Sequence, residues 1–543
     1  RSAANRYGPA DTVTFKAARA TTRHHLSRMA CILPQASAPD ERPLCGLWIH
    51  EARGEACVCY GTETGERTSA THPFHRFAWA NGELSTSEKL NGTGTFHHFV
   101  TAESAAAWKR ISAEAKAANL TLEEPRPLEH QWLLTRSDRQ FRGLAFSQLK
   151  RLTLDIETVC SQGRHSDPAT AEDYIIAIGL LYNDLPKCAR ETDTAVNLST
   201  ELFTIAAFTP EAEKRLLSQF TERLEEIDPD VIEGHNLFKF DLDFLRVRCK
   251  RHKVACRWGR FGQIARFRNS RLRVAERWID FPRCDLAGRA VFDTYLAVQL
   301  YDIAARELPG YGLKEVAAHL QLSDTGERTY LDSARMKAHF HSDPERFEAY
   351  LRDDLHETRA LADLLLPTYV AQAQNLPMPL QEIYLRGTAA KVDALLTEAY
   401  FHRSAALPEP PEVTAYEGAF TRSFRTGVFT HVLHYDVASL YPSLLLAIGR
   451  APVNDHEGVF IPLLTQLRDE RLRYKNLART EEDPDRRREY QARQASYKIL
   501  INSFYGYLGF AGARFADGTL AAEVTRRGRE LIQWIIERFE AIG

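Results

Sequence analysis

The chain has 543 residues, enough for roughly three to four domains that each bury their own core. Its composition, 44% hydrophobic and 26% charged, is that of an ordinary globular protein, with no apolar run of the ~18 residues that a membrane span requires. The net charge of −2 gives no global attraction to nucleic acid, so any anion site must come from local clustering. Nine cysteines form no Cys-x2-Cys pair. Cys57-Val58-Cys59 is poor zinc spacing. An odd cysteine count without a secretory signal predicts reduced thiols in the cytoplasm. No GxxxxGK loop and no GxSxG elbow is present, which speaks against a P-loop NTPase or a serine hydrolase.

In chain order, residues 1–145 mix short β-like runs (CGLWIHE, EACVCY, GTFHHFV) with one helical stretch, TAESAAAWKRISAEAKAANL. This predicts an N-terminal α/β domain with no catalytic constellation. Residues 146–370 alternate strand-like RLTLDIET, IIAIGLLYN and DVIEGHN with helical patterns such as EAEKRLLSQFTERLEEI, the signature of an α/β layer fold. QAQNLPMPL is expected to be a linker into a third region, 371–460, where GVFTHVLHYDV is expected to be a strand. A charged helical hairpin is predicted over 461–508, turning at RTEEDPD, and a last helix follows in 509–543.

Three carboxylate motifs stand out in the second region. In RLTLDIET the period of two puts Leu152, Leu154 and Ile156 on one face and Thr153, Asp155 and Glu157 on the other. Adjacent carboxylates repel, and a divalent cation would relieve them; a polar edge strand is the plainer alternative. In EGHNLFKFDLDFLRVRCKRHK, Asn236 is expected to cap a helix carrying Asp241 among aromatics, with Asp243 as competitor. In EAYLRDDLHET, Tyr350 and Asp354 lie four apart and share a helix face, with Asp353 as runner-up and a charged surface helix as the alternative.

Taken together, Asp-x-Glu, Asn-x3-Phe-Asp and Tyr-x3-Asp resemble the tyrosine subclass of the DEDD-type proofreading 3′–5′ exonucleases. The resemblance implies that Asp155, Glu157, Asp241 and Asp354 hold two divalent metals, Mg²⁺ or Mn²⁺. Tyr350 would orient the attacking water, and Asn236 would touch DNA. The histidine subclass places His one position earlier, where this chain has Ala349.

A second constellation follows. Asp436 ends the expected strand just before SLYPSLLLAIG, where Pro442 suits a first helical turn. A carboxylate beside helix-start amides suits a triphosphate, although an N-cap Asp would look the same. Further on, Gln494, Lys498, Asn502 and Tyr505 share one helix face, with Ala495 and Ile499 beside it as docking residues. Arg471 and Lys475 lie on the preceding helix and are expected to converge with Lys498. DVASLYPS and KILINSFYG resemble the palm and fingers motifs of family B DNA polymerases, and YEGAF resembles the family's segment between exonuclease and polymerase. The order of the motifs is the family's order, and the likeness covers about 150–530. It implies Asp436 on both polymerase metals. Ser439, Leu440, Tyr441, Arg471, Lys475, Lys498, Asn502 and Tyr505 would bind the incoming nucleotide; Tyr416, Gly418 and Gly506 would touch DNA. The implied fold is α/β in the multidomain α+β sense. It comprises an N-terminal domain, a ribonuclease H-like exonuclease, a partial palm and helical fingers.

The family's second palm carboxylate motif, Asp-Thr-Asp, has no counterpart here, so the chain is expected to be C-terminally incomplete and unable, or nearly so, to polymerise. The exonuclease acids are all present. Residues 244–275 hold eleven Lys or Arg and no acid, interleaved with Trp258, Phe261 and Phe267, a pattern expected to track single strands. The implied partners are primer-template DNA, single-stranded 3′ ends, dNTPs and a sliding clamp, the last with no segment that marks it. The implied location is the cytoplasm, at the nucleoid of a prokaryote. Alternatives are a stand-alone nuclease with a DNA-gripping polymerase half, or a non-catalytic replication subunit.

Overall fold

Short apolar runs near the N-terminus pair into two small antiparallel sheets in this computed structural model, which describes residues 42–62, 65–160, 165–184, 197–322, 328–332, 335–413, 415–437 and 439–542. β1 (Leu44–His50), β2 (Glu55–Gly61) and β3 (Arg67–Pro73) form the first sheet. β4 (Arg76–Ala80), β5 (Glu88–Lys89), β6 (His98–Ala102) and β7 (Leu122–Glu123) form the second, in the order β5-β6-β4-β7. α1 (Ala105–Ala117) starts where the Ser104 side chain accepts the Ala107 N–H, and α2 (Leu128–Arg136) closes the region.

The next region is built on one mixed sheet. In chain order its elements are β8 (Arg151–Thr158), β9 (Ile175–Asp184), β10 (Asn197–Thr204), α3 (Pro210–Ile227), β11 (Val231–Gly234) and α4 (Asp241–His252). Then come β12 (Arg266–Val274), β13 (Arg277–Asp285), β14 (Ala290–Asp293), α5 (Thr294–Ala305), α6 (Leu313–His319), α7 (Met336–Ser342) and α8 (Pro344–Ala373). The sheet order is β10-β9-β8-β11-β14. β8 pairs antiparallel with β9 and parallel with β11, so it is central and covered rather than an edge. β12 and β13 form a separate hairpin.

α8 can lie close on the sheet because β9 carries Gly179 opposite Asp155. A Cβ there would sit 2.8 Å from Leu355 Cδ1 and 3.1 Å from Leu351 Cγ, so a side chain would lift α8 off the strand. α3 begins with Pro210 at its first turn, and the Thr209 hydroxyl caps the Ala212 N–H. Thr209→Ala is expected to lower stability by about 1 kcal/mol, read as a shift in denaturation midpoint at unchanged slope.

Four features depart from the sequence expectations. Asn236 does not cap a helix; it takes a left-handed conformation at φ 61°, and α4 starts at Asp241. Asp293 supplies the acceptors instead, taking the N–H of Asn236 at 3.1 Å and of Phe238 at 3.0 Å. QAQNLPMPL is not a loose linker. Leu376 and Met378 are fully buried, and Gln374 Nε2 donates to the carbonyls of Phe141 and Leu144.

The basic stretch is not one surface. Arg248 is buried against Glu213, Arg260 against Asp228 and Asp230, and Trp258 packs on Phe220 in the core. Counting charge along 244–275 misses acids supplied from elsewhere. The exposed basic residues are Lys250, Arg251, Lys253 and Arg257 at and after the end of α4, and Arg266, Arg268, Arg271 and Arg273 on β12, with Arg271 over the exposed Trp278 at 4.5 Å.

The fourth departure is GVFTHVLHYDV, which is not a strand. It runs unpaired, with Val428 99% exposed. Alternation favours extension, but a strand also needs a hydrogen-bonded neighbour, and among the described residues none lies beside it.

The last part is helical: α9 (Leu380–Leu385), α10 (Thr388–Phe401), α11 (Leu440–Ile448), α12 (Phe460–Thr480), α13 (Pro484–Leu508) and α14 (Gly518–Ile542). α12 and α13 form the expected hairpin, with Asp483 capping α13. α13 docks through Tyr497, Leu500, Ile501 and Phe504, while the expected docking residue Ile499 is 37% exposed.

Candidate active site

The period of two in β8 sends Asp155 and Glu157 to the same side as α8, and the apolar Leu154 and Ile156 to the other. Asp241, the first residue of α4, reaches β8 as well: its Oδ1 accepts the Ile156 N–H at 3.0 Å. Tyr350 and Asp354 stack on α8, both buried where a charged surface helix would have exposed them. One oxygen each from Asp155, Glu157 and Asp354 lies within 4.8 Å of the others. The competing acids stay out of this cluster. Asp243 pairs with Arg246 on its own helix, and Asp353 accepts the Thr329 N–H at 2.8 Å.

Burial, followed by the charges of Asp241, Asp354 and Glu157, pushes the Asp155 carboxyl well above the usual range. Burial, with Asp354 next, holds Glu157 up to about 8, and burial holds Asp241 up to about 8. Asp354 is also raised by burial, against the pull of Lys314 and Arg328. Such a set of four carboxylates, offset only in part by Lys314 and Arg328, fits hard divalent cations. Burial and the same acids push the Tyr350 phenol up, so it stays neutral and able to donate.

Two cations at this site have no sequence motif of their own. Lys314, on α6, donates to the Tyr350 hydroxyl at 2.6 Å and lies 4.3 Å from its ring centroid. The only local signal is a cation between the apolar Leu313 and Val316 at a helix start. Arg328 donates to Asp354 and, through a two-point fork, to Glu357. Its partners lie more than 25 positions away, so no local pattern announces it. Lys314→Met removes a charge-assisted hydrogen bond and is expected to slow chemistry at this site about 10–100-fold, read as kcat in single-turnover assays.

A second group of expected residues gathers around the start of α11. Ser439 adopts φ 54° before Leu440, the first helical residue, and its Oγ accepts from Arg471 at 2.6 Å. Tyr441 and Tyr505 pack ring to ring at 4.3 Å, and Tyr416 hydrogen-bonds Tyr505. The Gly418 carbonyl accepts from Arg529 of α14 at 2.7 Å. Lys475, Lys498, Asn502 and Gly506 are exposed along the hairpin. Asp436 is exposed, and among the described residues it joins no cluster of three metal-ligating side chains.

Comparison with known proteins bears on both groups. The model of the DNA polymerase family B exonuclease domain matches residues 84–316, and that of DNA polymerase family B matches 449–541. Asp155, Glu157, Asp241 and Lys314 fall inside the first match; Tyr350, Asp354 and Asp436 fall outside both. A DNA polymerase of Archaeoglobus fulgidus is 27% identical over 422 residues, covering 74% of this chain and 49% of that protein. DNA polymerase 2 of Aeropyrum pernix is 27% identical over 369 residues, covering 61% and 43%. The chain spans about half the length of the relatives it matches. In three dimensions it resembles the family B DNA polymerase of Pyrobaculum calidifontis, with TM-score 0.70 and 19% identity over 92% of this chain and 72% of the other. Among the described residues, no helix is long and apolar enough to cross a membrane.

Proposed function

This chain belongs to the family B DNA polymerases, and on that premise we propose that it removes nucleotides from DNA 3′ ends through Asp155, Glu157, Asp241 and Asp354. The observation that carries the proposal is the convergence of Asp155, Glu157 and Asp354 oxygens within 4.8 Å, beside a neutral tyrosine. These acids would hold two divalent ions, Mg²⁺ or Mn²⁺, which supply an activated water and charge stabilisation for the leaving 3′ oxygen. The protein's own part is orientation. Lys314 donates to the Tyr350 oxygen, which leaves the phenol proton to point at the water or at Asp354. The Ile156 N–H fixes Asp241. The exposed arginines of β12 and Trp278 would guide a single-stranded 3′ end by phosphate contact and stacking.

The polymerase half is proposed to grip primer-template DNA and to hold a dNTP near Arg471, Lys475, Lys498 and the Tyr441–Tyr505 pair. Nucleotidyl transfer is not part of the proposal: among the described residues Asp436 joins no group of three metal-ligating side chains. Reduced cysteines, seven of them free among the described residues, suit work in the cytoplasm.

The test is a labelled primer with a mismatched 3′ end on a template, incubated with Mg²⁺, with and without dNTPs. Release of the terminal nucleotide without extension is expected. No release would overturn the proposal. Extension would mean that a carboxylate outside the described set completes Asp436.

A further inference from the structure

We propose that Arg328 is a positioning residue for Asp354, an inference that rests on the four-acid metal site proposed above. Arg328 has only 3% of its side chain exposed, so it is not placed to meet a substrate. Its Nε donates to Glu357 Oε1 at 2.6 Å and one Nη to Glu357 Oε2 at 2.7 Å. That same nitrogen donates to Asp354 Oδ1, and the other donates to its neighbour's carbonyl, Thr329 O, at 2.8 Å. The guanidinium also lies 5.1 Å from the Tyr330 ring and 5.8 Å from the Tyr350 ring.

Glu357 explains why the arginine stays. It is a buried carboxylate one turn beyond Asp354 on α8, and it takes no part in the acid cluster. If Arg328 swung away, Glu357 would be left as a buried unpaired charge, a costly state. Arg328 is therefore tied to α8 by a fork and offers Asp354 one fixed donor. With that donor in place, Asp354 still presents an oxygen within 4.8 Å of those of Asp155 and Glu157. A carboxylate facing two others is otherwise driven to rotate away by repulsion. The arginine holds it in the ligating position and offsets one negative charge. The adjacent Thr329 N–H ties Asp353 in the same way, so the segment Arg328–Thr329 fixes this turn of α8 from outside. Partners of this kind behind metal ligands are worth about 10–100-fold in metal affinity.

The experiment is Mn²⁺ titration of the whole chain, with free Mn²⁺ read by electron paramagnetic resonance. The variants are Arg328→Met, Arg328→Lys, Asp354→Asn, the double variant Arg328→Met/Asp354→Asn, and Asp155→Asn. Arg328→Met is expected to weaken binding about 10-fold or more, and Arg328→Lys, which keeps charge but not the fork, by less. On the Asp354→Asn background, Arg328→Met should add nothing, which a general structural role would not reproduce. If Arg328→Met fails to fold, Arg328→Lys carries the test. Binding unchanged or tighter in the Arg328 variants, while Asp155→Asn abolishes it, overturns the positioning role and leaves the metal site standing. Binding that survives Asp155→Asn at parent strength overturns the metal site, and the inference with it.

Discussion

Replacing Asp155 and Glu157 together by alanine is expected to abolish release of 3′ nucleotides, by roughly 10³-fold or more, while the protein folds and still binds primer-template. Both side chains sit on the central strand β8, whose apolar residues Leu152, Leu154 and Ile156 pack on the opposite face. The substitution therefore removes ligands without opening the core. It also removes two charges that repel Asp241 and Asp354, so the fold should not suffer from their loss. Single-turnover release from a labelled mismatched primer, beside a binding assay, measures this. Activity within ten-fold of the parent would place the chemistry elsewhere; lost DNA binding would mean that the variant disturbs more than the site.

A second large effect is expected in stability. Glu157 and Asp241 are held up to about 8 in the fold, against ordinary values of 4.5 and 3.8. Below those ordinary values both folded and unfolded chains carry the protons, and these groups do not bear on stability. Between about 4 and about 8 the unfolded chain has released its protons while the folded one retains them. Stability therefore falls as pH rises through that window and levels off above it. Metal-free protein should be less stable at about pH 8 than at about pH 5, and Asp155→Asn/Glu157→Gln should flatten the slope. Adding Mn²⁺ at about 100 times its dissociation constant should restore roughly 2.7 kcal/mol at the higher pH. Chemical denaturation across pH, with and without Mn²⁺, reads this. A slope unchanged by the double variant, together with no response to Mn²⁺, would contradict the electrostatic description.

Much of this was legible in the sequence because the governing signals are local. The alternation of RLTLDIET specifies both the strand and the shared face of Asp155 and Glu157. Four-residue spacing puts Tyr350 and Asp354 on one helix face, and the DPD turn marks the α12–α13 hairpin. What escaped depends on distant partners. The choice of Asp241 over Asp243 and of Asp354 over Asp353 came from the motif resemblance, and its physical reason lies in the fold, where Arg246 and the Thr329 N–H occupy the other two acids. Asn236 had the right residue type for a cap, but Asp293, 57 positions on, took the exposed N–H groups. Lys314 and Arg328 act through α8, which their own sequence neighbourhoods do not mention. GVFTHVLHYDV has the pattern of a strand and no neighbour to pair with among the described residues.

The most direct measurement is diffraction from crystals grown with Mn²⁺ and a short oligonucleotide, with data collected at the manganese absorption edge. Two anomalous peaks are expected within ligand distance of Asp155, Glu157, Asp241 and Asp354, with the 3′ end against Tyr350. Manganese bound away from these acids, or none bound with the oligonucleotide in place, would contradict the account.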